Sequence, residues 1–257
     1  MSKNIVDLYE PINVPKIVDE NIWIVDGGIV TMAMYGTRIP FPTRMTIVRL
    51  KNGELWCHSP VELTPQLKAE IDKLGVVRHL ISPNKIHYTY IHNWAKVYPE
   101  ATAWASPGVL ERAAQQKIEV TFHAFLADEA PVEWSEEIAQ LIFRGSRFMD
   151  EIVFFHRQSS TLILADLIEN FELDKVSKKF GFLLKLIGCA APNGKTPLDL
   201  RATFWGRKNQ ARDCFKQMLK WEPQKIILSH GKWYEENGTA ELNRAFAWLG
   251  EGSTINN

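Results

Sequence analysis

Cysteine is scarce. The 257 residues hold 3, Cys57, Cys189 and Cys214, widely spaced and with no C-x-x-C pair. An odd, scattered set suits neither a disulfide framework nor a thiolate zinc site, and points to a reducing compartment. Net charge is lacking too, since 30 Lys and Arg balance 30 Asp and Glu. Without a basic surplus, no nucleic-acid partner is expected. No run of about 18 apolar residues occurs, so no stable membrane insertion is expected. Residues 1–7 show no apolar secretory core, which makes the cytoplasm the expected location. Flavin and nicotinamide fingerprints, Gly/Ser linkers and short repeats are also missing.

What remains has globular proportions, with 46% hydrophobic and 23% charged residues, which excludes wholesale disorder. With no linker in view, one domain over residues 1–257 is expected, residues 1–20 forming an N-terminal extension. The first third reads as strands. Residues 21–25 lead to a turn at Asp26-Gly27-Gly28, and residues 43–50 alternate at period two up to a hairpin at Asn52-Gly53. Pro40 and Pro42 are expected to keep residues 38–42 out of any central strand. Helix and strand then alternate, with Thr64-Pro65 opening a helix that stops at Gly75. Strands return at residues 138–143, 151–155 and 161–165, and a helix is expected over residues 173–188. An amphipathic helix over 208–221 and a strand at 225–228 follow. Strand pairs open each half and helix–strand units close it, which suggests two sheets face to face with helices outside.

In open α/β sheets, ligands bind beyond the carboxyl ends of strands. Four such ends carry groups able to bind a metal or move a proton: His58, His87, Asp166 and His230. Two imidazoles and a carboxylate suit zinc, iron or manganese. Each has a plainer reading as well. Asp166 could cap a turn, His230 could be a hydrogen-bonded loop histidine, His87 could be exposed, and His58 could be a turn residue before Ser59-Pro60. Residues 180–191, interrupted by Lys185, read as an ordinary packed helix, a lid, a dimer contact or a membrane-surface patch.

The order of these features resembles the metallo-β-lactamase superfamily, and more narrowly an uncharacterised bacterial family, a domain of unknown function, related to it. The narrower match rests on Leu8-Tyr9-Glu10-Pro11, Pro40-Phe41-Pro42-Thr43-Arg44-Met45-Thr46, His58-Ser59-Pro60, Ser82-Pro83-Asn84-Lys85-Ile86-His87 and Ile227-Leu228-Ser229-His230-Gly231. The resemblance spans residues 21–249 and implies an α/β fold, an αββα sandwich of the metallo-β-lactamase type. The superfamily's His-x-His-x-Asp-His loop falls on Ser82, Asn84, Ile86 and His87, of which only His87 is kept. Arg147 stands where its next His would be, Asp166 at the bridging Asp and His230 at the last His.

These departures bear on chemistry. Ser82, Asn84 and Arg147 are poor ligands, so the first metal position is expected to be lost. The resemblance implies that His87, Asp166 and His230 still hold one divalent ion, zinc, iron or manganese, with Asp166 and His87 as the catalytic groups. Arg147, Asn84 and His58 are then the expected substrate contacts, His58 being also a replacement ligand or a partner that orients one. The expected function is a metal-dependent hydrolase with at most one metal, acting on a small molecule. The alternatives are a metal-free small-molecule-binding or regulatory protein on the same fold, with no cofactor, and an iron oxidoreductase. A homo-oligomer is compatible with all three.

Overall fold

The computed structural model describes residues 5–34 and 36–250. Strands β1 (Lys16–Asp19), β2 (Ile22–Met34), β3 (Thr37–Arg49) and β4 (Glu54–His58) pair antiparallel in sequence order. The sheet then grows by parallel pairing through α1 (Pro65–Leu74), β5 (Val76–Ile81), α2 (Ile91–Val97), β6 (Thr102–Ala105), α3 (Val109–Gln116) and β7 (Ala124–Phe125), to seven strands. A second sheet follows. Strands β8 (Ile138–Phe143), β9 (Glu151–His156) and β10 (Thr161–Ile163) form an antiparallel meander. The chain passes through α4 (Lys178–Ile187), α5 (Leu198–Ala202) and α6 (Lys208–Lys220), and β11 (Lys225–Ile227) then lies parallel beside β10. Helix α7 (Gly238–Phe246) comes last.

Strand alternation builds three apolar layers. In β4, Leu55 and Cys57 join the cluster formed with Leu67, Ile71, Ile91 and Trp94 of α1 and α2. Trp56, between them, points the other way and packs with Ile152 and Phe154 of β9 and Ile163 of β10. In β9, Val153 and Phe155 face Phe215 and Met218 of α6 and Phe246 of α7. Two faces of each sheet are therefore covered, and this is why the strands read as near-continuous apolar runs. The result is the αββα sandwich.

Three local expectations need correction. Asp26-Gly27-Gly28 is not a turn. Strand β2 runs through it to Met34, and the register against β3 shifts between Asp26 and Ile29. A Cβ on Gly27 would lie 2.5 Å from the Thr43 hydroxyl and 2.8 Å from Val61, so glycine here permits a close approach within a bulge. Pro40 and Pro42 do lie in β3, paired with Thr31 and Ile29. On its other side β3 is paired with β4 only from Thr46 to Arg49, so the prolines occupy a one-sided stretch, where the missing N–H is harmless. The helix expected over residues 173–188 is broken, because Val176 is extended and bridges to Val6. Helix α4 starts after it, capped by the Ser177 hydroxyl, which accepts from the Phe180 N–H.

Candidate metal and ligand site

His58 ends β4, and His87, Asp166 and His230 follow the carboxyl ends of β5, β10 and β11; these four strands pair parallel within their sheets. Three of these groups converge: one ligand atom each from His87, Asp166 and His230 lie within 4.8 Å of one another. His87 Nε2 is 3.1 Å from Asp166 Oδ2, and His230 Nε2 is 3.2 Å from Asp166 Oδ1.

The outer nitrogen of each ring is held by the chain. His230 Nδ1 lies 2.8 Å from the Pro42 carbonyl oxygen. A carbonyl only accepts, so this nitrogen carries a proton. His87 Nδ1 is 2.7 Å from the Ser59 hydroxyl, and Ser59 reaches it from a left-handed backbone conformation, φ 52°. Ser59 also lines the cavity.

The loop that bears His230 is anchored from below. The buried Arg44 guanidinium donates to the carbonyls of Leu228 (2.8 Å) and Gly231 (2.7 Å). It is itself paired with the buried Asp26 at 2.7 Å, which Lys16 joins at 2.8 Å. Gly231 has φ 91° and presses on Asn170, whose carbonyl oxygen would be 2.2 Å from a Cβ. Only glycine fits there.

Asp166 is deeply buried, which by itself raises a carboxyl pKa, yet the His87 and His230 imidazoles beside it pull it well below the usual carboxylate range. Behind it stands Glu151. Its carboxylate accepts from the N–H groups of Ala165 (2.9 Å) and Asp166 (2.8 Å) and from the Asn84 amide (3.2 Å). Burial and the neighbouring Asp166 charge push Glu151 upward, against those donors.

The three convergent groups line a cavity of about 550 Å³, within the range of small-molecule sites. Much of its wall is apolar, including Phe41, Ile86, Phe180, Leu183, Leu184 and Ile187. Glu169 is also on the wall, its carboxyl raised to about 7 by burial.

Comparison with known proteins places this geometry. The family described as Domain of unknown function (DUF4336) matches residues 19–177, more than half of the chain. The chain belongs to this family. No protein of curated function matches it in sequence. Among solved structures, it is similar to DIM-1 metallo-β-lactamase exposed to ceftazidime, with TM-score 0.60 and 14% identity over 96% of this chain and 98% of that one. A metallo-β-lactamase from Pontibacter korlensis gives TM-score 0.57 and 14% identity over 91% and 97% of the two chains. FIM-1 from Pseudomonas aeruginosa, in its mono-zinc form, gives 0.57 and 14% over 97% and 98%. This DUF4336 protein therefore has the metallo-β-lactamase fold and is a divergent member of that fold group. The family match ends at residue 177, so it includes His58, Ser59, Asn84, His87 and Asp166 but not His230.

The three residues expected to contact substrate stand elsewhere, and none of them lines the cavity. Asn84 is fully buried and spends its amide on the site's own frame. Its Nδ2 donates to Asp166 Oδ2 at 2.7 Å, and its Oδ1 accepts from the N–H groups of Ile86 and His87. His58 is 1% exposed, stacked on Trp56 and edge-on to Phe154, with neither ring nitrogen hydrogen-bonded. Burial lowers its pKa to about 3, so it is neutral. Arg147 is exposed, with its guanidinium beside Gly206. The cause is Ser146, whose hydroxyl caps the N–H groups of Phe148 and Met149 and meets Thr203 at 2.7 Å. That turn presents Phe148 and Met149 to the cavity in place of Arg147.

Sequence reasoning did not single out Ser59, Glu151 or the Arg44–Asp26 pair as site residues. A signal existed for the pair: a charged residue in each of two adjacent apolar strands, in register with one another.

Proposed function

We propose that this protein is a metal-dependent hydrolase that uses one divalent cation, zinc, iron or manganese, held by His87 Nε2, Asp166 and His230 Nε2. The observation that carries this reading is the His230 tautomer. With Nδ1 protonated towards Pro42, Nε2 is the nitrogen that a neutral ring offers as a ligand, and it lies 3.2 Å from a carboxylate oxygen. Nε2 and the carboxylate oxygen face each other stably with a positive charge between them, a proton or a metal ion, and a nitrogen–nitrogen–oxygen donor set with an open side fits a catalytic cation.

A single ion supports the geometry better than two. The Asn84 amide donates to Asp166 Oδ2 and so takes up part of that carboxylate's capacity to accept a second cation. FIM-1 in its mono-zinc form has the same fold. When bound, the ion supplies a water acidified to near neutral pH and polarises a carbonyl or phosphoryl oxygen. The chain's own part is positional. Ser59 and Pro42 set the two ring planes, Asn84 and Glu151 hold Asp166, and the apolar walls exclude bulk water.

A second reading, a binding protein without catalysis, draws on the same cavity, whose apolar lining would hold a ligand without any metal. Hydrolysis of model carboxylic esters and phosphodiesters separates the two. Turnover that a chelator abolishes, that one added metal equivalent restores, and that His230→Gln lacks supports the hydrolase. Tight ligand binding with no turnover under any metal supports the binding protein.

A further inference from the structure

We propose that the cavity takes the hydrocarbon chain of a neutral single-chain acyl lipid, and that α4 draws this lipid from an anionic membrane surface. The proposal deepens the hydrolase reading by naming its substrate class, but the chain site itself needs no metal.

Helix α4 has two apolar faces with different uses. Phe180, Leu184 and Ile187, at helical spacing, turn inward and line the cavity together with Leu183. Phe182 and Leu186, also four apart, turn outward and are 65% and 63% exposed. Leu183 belongs to both faces, lining the cavity while 43% exposed, so the helix stands at the cavity mouth. Phe148 likewise is 42% exposed while lining the cavity, with the Lys85 ammonium 4.4 Å from its ring centroid.

Charge decides what covers the outer face. Exposed Lys178, Lys179 and Lys185 flank Phe182 and Leu186, and α4 contains no acidic residue, although the chain as a whole is neutral. A second copy packed symmetrically would set lysines against lysines. An anionic bilayer gains roughly fivefold in binding per lysine near its surface, and it accepts the aromatic and leucine side chains. Among the described residues no helix is long and apolar enough to cross a membrane, so the contact is interfacial.

The cavity's charges select the head group. The Asp166 and Glu169 carboxyls line it, with the His87 and His230 rings and one guanidinium, Arg112. That lining disfavours a free carboxylate and suits an uncharged ester or amide. Beyond it, each methylene buried in the apolar wall should tighten binding about fourfold.

Two assays in chelator test this, so that metal loading, measured separately, does not enter. In the first, monoacylglycerols of increasing chain length displace Nile red. Affinity should rise about fourfold per methylene to a plateau, and Leu183→Glu/Ile187→Glu should lose it at least tenfold while circular dichroism stays native. In the second, the protein is sedimented with phosphatidylglycerol or phosphatidylcholine vesicles. Binding should prefer phosphatidylglycerol and fall at least tenfold in Phe182→Glu/Leu186→Glu. Displacement independent of chain length, or vesicle binding equal in wild type and variant, would overturn the proposal. So would a wild-type dimer that ignores vesicles and that Phe182→Glu/Leu186→Glu turns into a monomer.

Discussion

His230 Nδ1 donates to the carbonyl of Pro42 across a distance of 2.8 Å, joining residues 188 positions apart. The proline-bearing end of β3 thereby orients the last of the three convergent groups. The contact sets the His230 tautomer, and with it the atom turned towards Asp166. The neighbouring Phe41 ring packs on the imidazole at 5.2 Å between centroids and limits its rotation.

Ser59 plays the matching part for His87, at 2.7 Å. Removing its hydroxyl frees that ring, and partners of this kind are worth about 10–100-fold in metal affinity. Ser59→Ala and Ser59→Gly should both weaken zinc binding by that factor in competition with a chromophoric chelator. They should differ in stability, since φ 52° strains alanine but not glycine. Wild-type zinc affinity in both variants would remove Ser59 from the site.

Arg44 is the keystone of the 228–231 loop. Arg44→Met strips hydrogen bonds from two buried carbonyls and leaves Asp26 with Lys16 alone. A loss of about 3–5 kcal/mol is expected for a broken buried pair, read by urea denaturation. Adding Asp26→Leu should recover part of the stability but not the metal affinity, because the loop carbonyls stay unheld. Full metal affinity in the double variant would contradict this.

A pH effect on folding is expected from His156, remote from the cavity. Its ring is buried, 2.7 Å from the Ser159 hydroxyl, and burial lowers its pKa from 6.5 to about 4. Between these values the unfolded chain binds the extra proton. The contribution is therefore complete above pH 6.5 and is lost as pH falls through 4, at most about 3 kcal/mol. The stability gap between wild type and His156→Asn should narrow over that window. Parallel stability curves would show that the ring is not held neutral.

Much of this was legible in the sequence because buried strands end abruptly in polar residues. Leu164-Ala165-Asp166 and Leu228-Ser229-His230 mark where apolar packing stops, and chain order along parallel strands brings such ends to one edge. The rest depends on contacts with no local pattern. Asp26-Gly27-Gly28 has turn composition, yet Gly27 serves close packing against Thr43 and Val61. The aim of Arg147 is decided by a hydroxyl one residue earlier and by Thr203, far along the chain. Asn84 looked free to meet a ligand, but the two carboxylates that claim its amide come from the other sheet's elements. The broken start of α4 depends on Val6 pairing with Val176.

The most direct test is metal stoichiometry by mass spectrometry on tag-free protein, dialysed against zinc, iron or manganese and then desalted. His87→Ala, Asp166→Ala and His230→Ala would be measured alongside, with circular dichroism to confirm folding. One ion per chain is expected in wild type and none in any of the three variants. No retained metal in wild type, or one that persists in folded variants, would contradict it.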